Sequence, residues 1–282
     1  MGSGIETVNE LSGVPETMLW PLWNRAAEQR RPDKLIDDPL SAELVSRIEF
    51  DFRGTFSAPT VFHVIRARVC DDLVAEYVNN CEDQPIVVSL GDGLETQPWR
   101  VNDERIRWFS VDVEEAVAVR TRLLPDHEAV SHIACSVMDF RWLEELPKGA
   151  APFFSAMGLL MYFEDRDVQA LLAAIADRFP NAQIFFDTIP PYFSRRTLKG
   201  LKVTKQYTAP KMPWGISVDD VAAFLDEIPG VAAERVMTYA EPYPERTKLY
   251  ALLSKITRLR RTLAGGLVLA RTYYKTAAHY PA

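Results

Sequence analysis

Residues 85–96 read PIVVSLGDGLET, and the fold turns on them. Pro85 to Leu90 is a short apolar run without polar alternation, the pattern of a strand buried on both faces of a parallel sheet. Gly91-Asp92-Gly93 ends it at once in a turn. Comparable units recur at RIRWFSVDV (105–113), AVSHIACSV (129–137), PFFSAMGLLMYF (152–163) and AQIFFDTI (182–189), with helical stretches EEAVAVRTRLL (114–124) and DRDVQALLAAIADRF (165–179) between them. Strands alternating with helices at this spacing predict an α/β fold with a doubly wound, mostly parallel sheet.

On the N-terminal side the reading is helical. PETMLWPLWNRAAEQR (15–30) spaces Met18, Leu19, Leu22, Trp23, Ala26 and Ala27 as a helix does, with Pro21 expected to kink or restart it. Asp37-Asp38-Pro39 is an N-cap and turn signal ahead of LSAELVSRI. VFHVIRARVCDDLVAEYVNN (61–80) lays Val61, Val64, Ile65, Val69, Leu73, Val74 and Val78 along one face of a third helix. On the C-terminal side, 190–215 is irregular and carries four prolines, so it is either a lid over a binding site or an edge insertion packed on the sheet. A helix at VDDVAAFLDEI follows, then strand character over 231–255 and a helix around 256–275. No repeat or linker divides the chain. The expectation is one domain over 1–282, with a helical cap (14–80), a core (85–189), a lid or substrate-facing insertion (190–215) and a C-terminal part of the core (216–282).

Of 282 residues, 48% are apolar and 25% charged, the balance of a globular protein. Lys plus Arg is 32 against 39 Asp plus Glu, a net charge of −7 that is poorly matched to a nucleic-acid backbone. The charge is unevenly spread. From Arg246 onward there are eight Lys or Arg and no Asp or Glu, so residues 1–245 carry −15. That basic tail suits an acidic partner, an anionic membrane surface or the acidic body of its own domain, the last being preferred. Cys70, Cys81 and Cys135 show no C-x-x-C spacing and read as reduced, which together with a start that resembles no secretory leader predicts a cytoplasmic protein. No apolar run is long enough for a transmembrane helix. A homodimer is compatible with the sequence.

The chemistry is carried by Gly91-x-Gly93 after the first strand and by Asp112, 21 residues beyond Gly91 near the end of the next. Glycines let a ligand approach the backbone, and an acid at that distance accepts hydrogen bonds from a ribose diol. A dinucleotide site wants a third glycine where Thr96 stands, so Thr96 argues against a nicotinamide oxidoreductase and for a nucleoside without phosphates. S-adenosylmethionine fits that description. The plain alternative for the two glycines is a tight strand-to-helix turn.

The run VSLGDGLETQPWR (88–100) resembles V-x-L-G-x-G-L-D-T-x-x-x-R of the leucine carboxyl methyltransferase family, in particular its bacterial small-molecule branch. ETMLWPLWNRAAE (16–28), IDDPLSAELV (36–45), IRARVCDDLV (65–74), FSVDVEE (109–115), SVMDFRWLEEL (136–146) and LLMYF (159–163) extend the resemblance over roughly residues 14–220. The resemblance implies a class I, Rossmann-like methyltransferase using S-adenosyl-L-methionine, releasing S-adenosyl-L-homocysteine and needing no metal. It implies that Arg68 holds the methionine carboxylate, that Gly91 and Gly93 form the cofactor loop, that Asp112 binds the ribose, that Ser136 and Asp139 flank the adenine, and that Arg25 lies near the methionine tail. From the residues alone, Arg68 is a helix-surface partner of Asp71 or Asp72, Asp139 an N-cap at Phe140, and Arg25 a surface arginine. Two positions depart from the pattern. Glu95 replaces the aspartate of G-L-D-T, and Met157 replaces a glutamate that in the family contacts the cofactor, so affinity is lowered or carried by other groups.

The reaction expected is O-methylation of a carboxylate or hydroxyl of a small molecule such as a polyketide-like metabolite. A non-catalytic, cofactor-binding module is the alternative, motivated by Met157. A carboxylate needs no base and a hydroxyl gains from one. The catalytic group is unassigned, with His63, Tyr162, Asp187 and Tyr192 as candidate bases. Trp23, Tyr192 and Trp214 are expected against substrate, with Trp20, Phe193 and Tyr207, although for Trp20 and Trp23, at helical spacing, packing between cap and sheet is the preferred reading.

Overall fold

A computed structural model describes residues 5–8, 11 and 13–274. The cap is built from α1 (Leu19–Glu28), α2 (Pro39–Arg47) and α3 (Phe52–Phe56), followed by the long α4 (Phe62–Asn80). The stretch opens as a 3₁₀ turn over Pro15–Met18 and becomes α-helical at Leu19, two residues before Pro21. Pro21 is the third residue of α1, within the first turn, where a missing N–H leaves no helical bond unmade. Asp38 caps α2 as expected, accepting from Ser41 N.

The core alternates β1 (Ile86–Leu90), α5 (Gln97–Val101), β2 (Arg107–Asp112), α6 (Glu114–Leu123), β3 (Val130–Ala134), β4 (Phe153–Ala156), α7 (Asp165–Arg178) and β5 (Gln183–Thr188). It continues through α8 (Pro191–Leu198), α9 (Val221–Asp226), β6 (Val231–Thr238), α10 (Lys248–Ser254), α11 (Thr257–Leu263) and β7 (Gly266–Thr272). The seven strands form one sheet in the order β3-β2-β1-β4-β5-β7-β6, with β1 to β5 parallel and β7 antiparallel to both its neighbours. The chain thus winds outward from β1 in one direction and from β4 in the other. Their junction is the switch point at whose carboxyl end such sheets bind ligands.

Alternate strand residues face opposite layers. Val88, Phe154, Ile184 and Phe186 pack with Leu171, Leu172 and Ile175 of α7, while Val87, Phe153 and Phe185 pack with Ile65, Val69 and Leu73 of α4. A third cluster joins the cap to the sheet end through Leu19, Leu22, Phe52, Phe56 and Leu94.

The C-terminal reading needs correction. The expected helix over 256–275 stops at Leu263, and GLVLART is the strand β7, inserted between β5 and β6. Backbone contact decides it: a Cβ on Gly265 would lie 2.6 Å from Thr188 O, so the chain there is pressed against β5. Strand character expected through 255 ends at Thr238, and the irregular 190–215 segment contains α8. The tail's charge folds back on the body, with Arg246 on Glu28, Arg260 on Asp219, Arg261 on Asp220 and Arg271 on Glu234. Lys275 and the rest of 275–282 lie outside the described residues. Among the described residues no helix is long and apolar enough to cross a membrane.

Candidate active site

A cavity of about 700 Å³ opens at the carboxyl ends of β1, β2, β4 and β5 beneath the cap. Its wall at the sheet is the loop after β1. Gly91 and Gly93 both have positive φ, and a Cβ on either would lie within 2.7 Å of a side chain, Leu159 for Gly91 and Met18 for Gly93. Gly93 N donates to Asp112 Oδ2 and Val113 N to Asp112 Oδ1, each at 2.8 Å, which fixes the carboxylate at the end of β2. Burial pushes the Asp112 carboxyl up, and those two N–H groups restrain the rise. Gly93→Ala is expected to push against Met18, just ahead of α1, and strain the loop, destabilising by about 1–3 kcal/mol and weakening S-adenosylhomocysteine about tenfold or more in calorimetry. Unchanged affinity would count against the loop as a cofactor cradle.

Charged groups beneath the loop hold it in place. Arg120 of α6 is fully buried, pairs with Asp92 at 2.9 Å, and donates to Gly93 O and Glu95 O at 2.8 and 2.7 Å. Burial pushes the Asp92 carboxyl up to about 6 even against the Arg120 charge. Arg25 joins Asp38 at 3.0 Å, Glu95 at 2.9 Å and Leu94 O at 2.7 Å, so its guanidinium is spent on the loop. Thr96 Oγ1 donates to Asp38 Oδ2 at 2.7 Å, a bond that a glycine there would lack. Arg100 pairs with Glu95 and Asp71. Burial alone would raise Glu95, but Arg100 and Arg25 outweigh it and hold the carboxyl at about 2. The longer acid at 95 thus reaches two arginines at once.

At the other side of the cavity, Asp187 at the end of β5 is 3% exposed and accepts from Arg66 Nη1 at 2.9 Å, Tyr239 OH at 2.8 Å and Gly158 N at 2.5 Å. Burial opposes the Arg66 charge, but Asp187 and Tyr239 outweigh it and raise its pKa. Arg66 Nε is buried without a partner among the described residues, a donor left for a ligand oxygen. Met157, where the family pattern has a glutamate, lines this wall beside Gly158.

The structure brings Arg25, His63, Gly91, Gly93, Asp112, Ser136, Tyr162 and Asp187 to the cavity. Six expected residues stand elsewhere. Arg68 lies on the outer side of α4, with its side chain 43% exposed and paired with Asp72 at 2.8 Å. Arg66, two residues earlier, lines the cavity, as Arg25 does. Position 66 shares a face with buried Cys70, Leu73 and Val74, whereas 68 shares one with Asp72 and Glu76, so helical spacing held the signal. Asp139 caps the 3₁₀ turn Phe140–Glu145 and pairs with Arg141. Trp23 stacks on Phe52 in the cap, Tyr192 is 42% exposed on α8, and Trp214 is packed between Phe186 and Phe224 with Nε1 on Asp165. Tyr207 also lies in the cap cluster. The aromatic walls are instead Trp20, Phe62, Phe163, Phe193, Tyr239 and Tyr250. Sequence reasoning missed Phe62, Phe163, Tyr239 and Tyr250, whose separate places in the chain converge only through the fold.

The strand order, the reversed seventh strand, the glycine loop and the acid ending β2 define a class I S-adenosylmethionine-dependent methyltransferase. The model of the family described as leucine carboxyl methyltransferase matches residues 19–176, and the chain belongs to that family. It is an S-adenosylmethionine-dependent O-methyltransferase. The tetracenomycin polyketide synthesis O-methyltransferase TcmP of Streptomyces glaucescens is 27% identical over 229 residues, 80% of this chain and 83% of that protein. The S-adenosyl-L-methionine-dependent methyltransferase dpfgK of Gibberella zeae is 25% identical over 198 residues, 63% of this chain and 66% of that one. Among solved structures, magnesium protoporphyrin IX methyltransferase of Synechocystis PCC 6803, with bound S-adenosylhomocysteine, aligns with 91% of this chain and 99% of its own at 12% identity and a TM-score of 0.47.

Proposed function

We propose that this protein methylates the carboxylate of a flat, largely apolar small molecule. One observation carries the reading: the potential bases lining the cavity are already engaged, apart from Glu115, which is exposed at its rim. Asp187 accepts three hydrogen bonds, Asp112 two, and Asp92 and Glu95 sit in ion pairs. Burial keeps Tyr162 and Tyr239 above the usual phenol range and His63 below the usual imidazole range. A carboxylate is a nucleophile at neutral pH without help, whereas a phenol or alcohol calls for a base. The aromatic walls suit a ring system, and the TcmP name supports a polyketide-like acceptor.

In this reading Gly91, Gly93, Asp112 and Ser136 hold the nucleoside, and Arg66, braced by Asp187 and Tyr239, takes the methionine carboxylate through its free Nε. The cofactor supplies a methyl group already activated on a sulfonium. The protein's task is alignment and exclusion of water, which its cap and the aromatic walls serve. We read 190–215 as a lid, since Pro190, Phe193 and Met212 line the cavity. The three free cysteines support a reducing, cytoplasmic setting. The test is methyl transfer from labelled S-adenosylmethionine to 2-naphthoate and to 2-naphthol at pH 7.5. A tenfold or greater preference for the acid is expected, and a preference for 2-naphthol would overturn the proposal.

A further inference from the structure

Asn24 of α1 is 1% exposed and sits between the turn before α4 and the first residues of that helix. Its Oδ1 accepts from Thr60 N at 3.2 Å, and its Nδ2 lies 3.3 Å from Thr60 Oγ1 and 2.6 Å from His63 Nδ1. The amide orientation follows from Thr60. Turned over, Asn24 would point an NH₂ at the Thr60 N–H, donor against donor. Nδ2 therefore faces His63 as a donor, and His63 Nδ1 must be the bare, accepting nitrogen.

The ring is also uncharged. Burial disfavours the imidazolium, and Arg66 on the same helix and Arg25 on α1 repel it, against the weaker pull of Glu95 from the loop. A neutral ring with a bare Nδ1 carries its proton on Nε2. His63 lines the cavity, and Nε2 has no partner among the described residues. Trp20, edge-on to the His63 ring at 5.9 Å, lines the same wall with an Nε1–H likewise unpartnered among the described residues.

We propose that His63 is a hydrogen-bond donor to the acceptor substrate and not its base: Asn24 locks the Nε2–H tautomer, which holds the carboxylate oxygen that is not methylated. This rests on the carboxylate reading above. The chemistry asks nothing more of it. A lone pair of the other carboxylate oxygen forms the O–CH₃ bond as the S–CH₃ bond breaks, the bonding pair stays on sulfur as the sulfonium becomes a thioether, and no proton moves. A fixed donor set beside an aromatic wall selects acids over phenols, because a phenol arriving there meets N–H groups and no proton acceptor.

The probe is 2-naphthoate, added to the protein saturated with S-adenosylhomocysteine. Long-range ¹H–¹⁵N spectra are expected to show the His63 proton on Nε2, unchanged between pH 6 and 9 and shifted by naphthoate. Asn24→Asp places a carboxylate opposite Nδ1, so the proton moves to Nδ1 and Nε2 becomes an acceptor. Naphthoate binding should then weaken by about 10- to 100-fold, the range for losing a hydrogen bond to a charged group. His63→Phe should match that loss, and His63→Gln, which keeps an N–H, should retain most of the affinity. A wild-type proton on Nδ1, naphthoate binding indifferent to Asn24→Asp and His63→Phe, or equal loss in His63→Gln and His63→Phe would each overturn the inference. A wild-type preference for 2-naphthol as acceptor overturns the function proposed above. The Nε2 spectrum needs no turnover and decides the tautomer on its own.

Discussion

Arg66→Ala is expected to weaken S-adenosylhomocysteine binding about 100-fold or more in calorimetry and to lower the melting temperature by roughly 10 °C. The two effects have one origin. Arg66 supplies the guanidinium at the cavity wall, and it also neutralises Asp187, which is 3% exposed and would remain buried with only Tyr239 and Gly158 N as partners. Breaking a buried pair by removing one member costs about 3–5 kcal/mol, because the stranded charge stays desolvated. Arg68→Ala is the control, since that side chain pairs with Asp72 at the surface, where an ion pair contributes about 0–1 kcal/mol. A cofactor affinity within fivefold of wild type for Arg66→Ala would remove Arg66 from the site.

The second large effect is expected at Arg120→Met, which keeps the bulk but deletes the charge under the loop. Asp92 loses its ion pair, and Gly93 O and Glu95 O lose their donor, so a loss of about 3–5 kcal/mol is expected at pH 7.5. Acid should narrow the gap. The Asp92 carboxyl is raised to about 6 from 3.8, so its charged form destabilises the fold above that value, and the penalty is relieved as pH falls through about 6. Without Arg120 that penalty is larger, so the melting-temperature deficit against wild type should shrink between pH 7.5 and 5.5. Glu95 has the opposite sign: held at about 2 against 4.5, it stabilises above pH 4.5 and that contribution fades as pH drops toward 2. A deficit constant across pH 5.5–7.5 would show that Asp92 is not its source.

The parts of the molecule legible from sequence are those written in local pattern. The strands β1 to β5 announce themselves as short apolar runs, Asp38 as a cap before Pro39, and Gly91, Gly93 and Asp112 as a loop and an acid at a fixed spacing. What escaped is tertiary. Arg66 and Arg68 differ by a rotation of the helix, which spacing contains but which the family pattern masked by drawing attention to Arg68, the arginine outside the cavity. Arg120 reads as one more charge in EEAVAVRTRLL until α6 is placed against the loop. Trp23 and Trp214 carry the composition of a pocket, yet each is absorbed by packing, on Phe52 and between Phe186 and Phe224. β7 was hidden because a basic helical stretch runs directly into it, and only the partnership with β5 shows that the backbone extends after Gly265.

The placement of β7 also bears on how the chain is made. β5, which carries Asp187, leaves the ribosome well before residues 266–272, the segment that pairs with it, and β6 has no neighbour in the sheet other than that same late strand. During synthesis β5 therefore presents an open edge to the cell for the time needed to translate some eighty residues, about 4–16 s at 5–20 residues per second. The nascent chain is most exposed to edge-to-edge association in that interval, and β7, sealing β5 and β6 together, is the step that closes it.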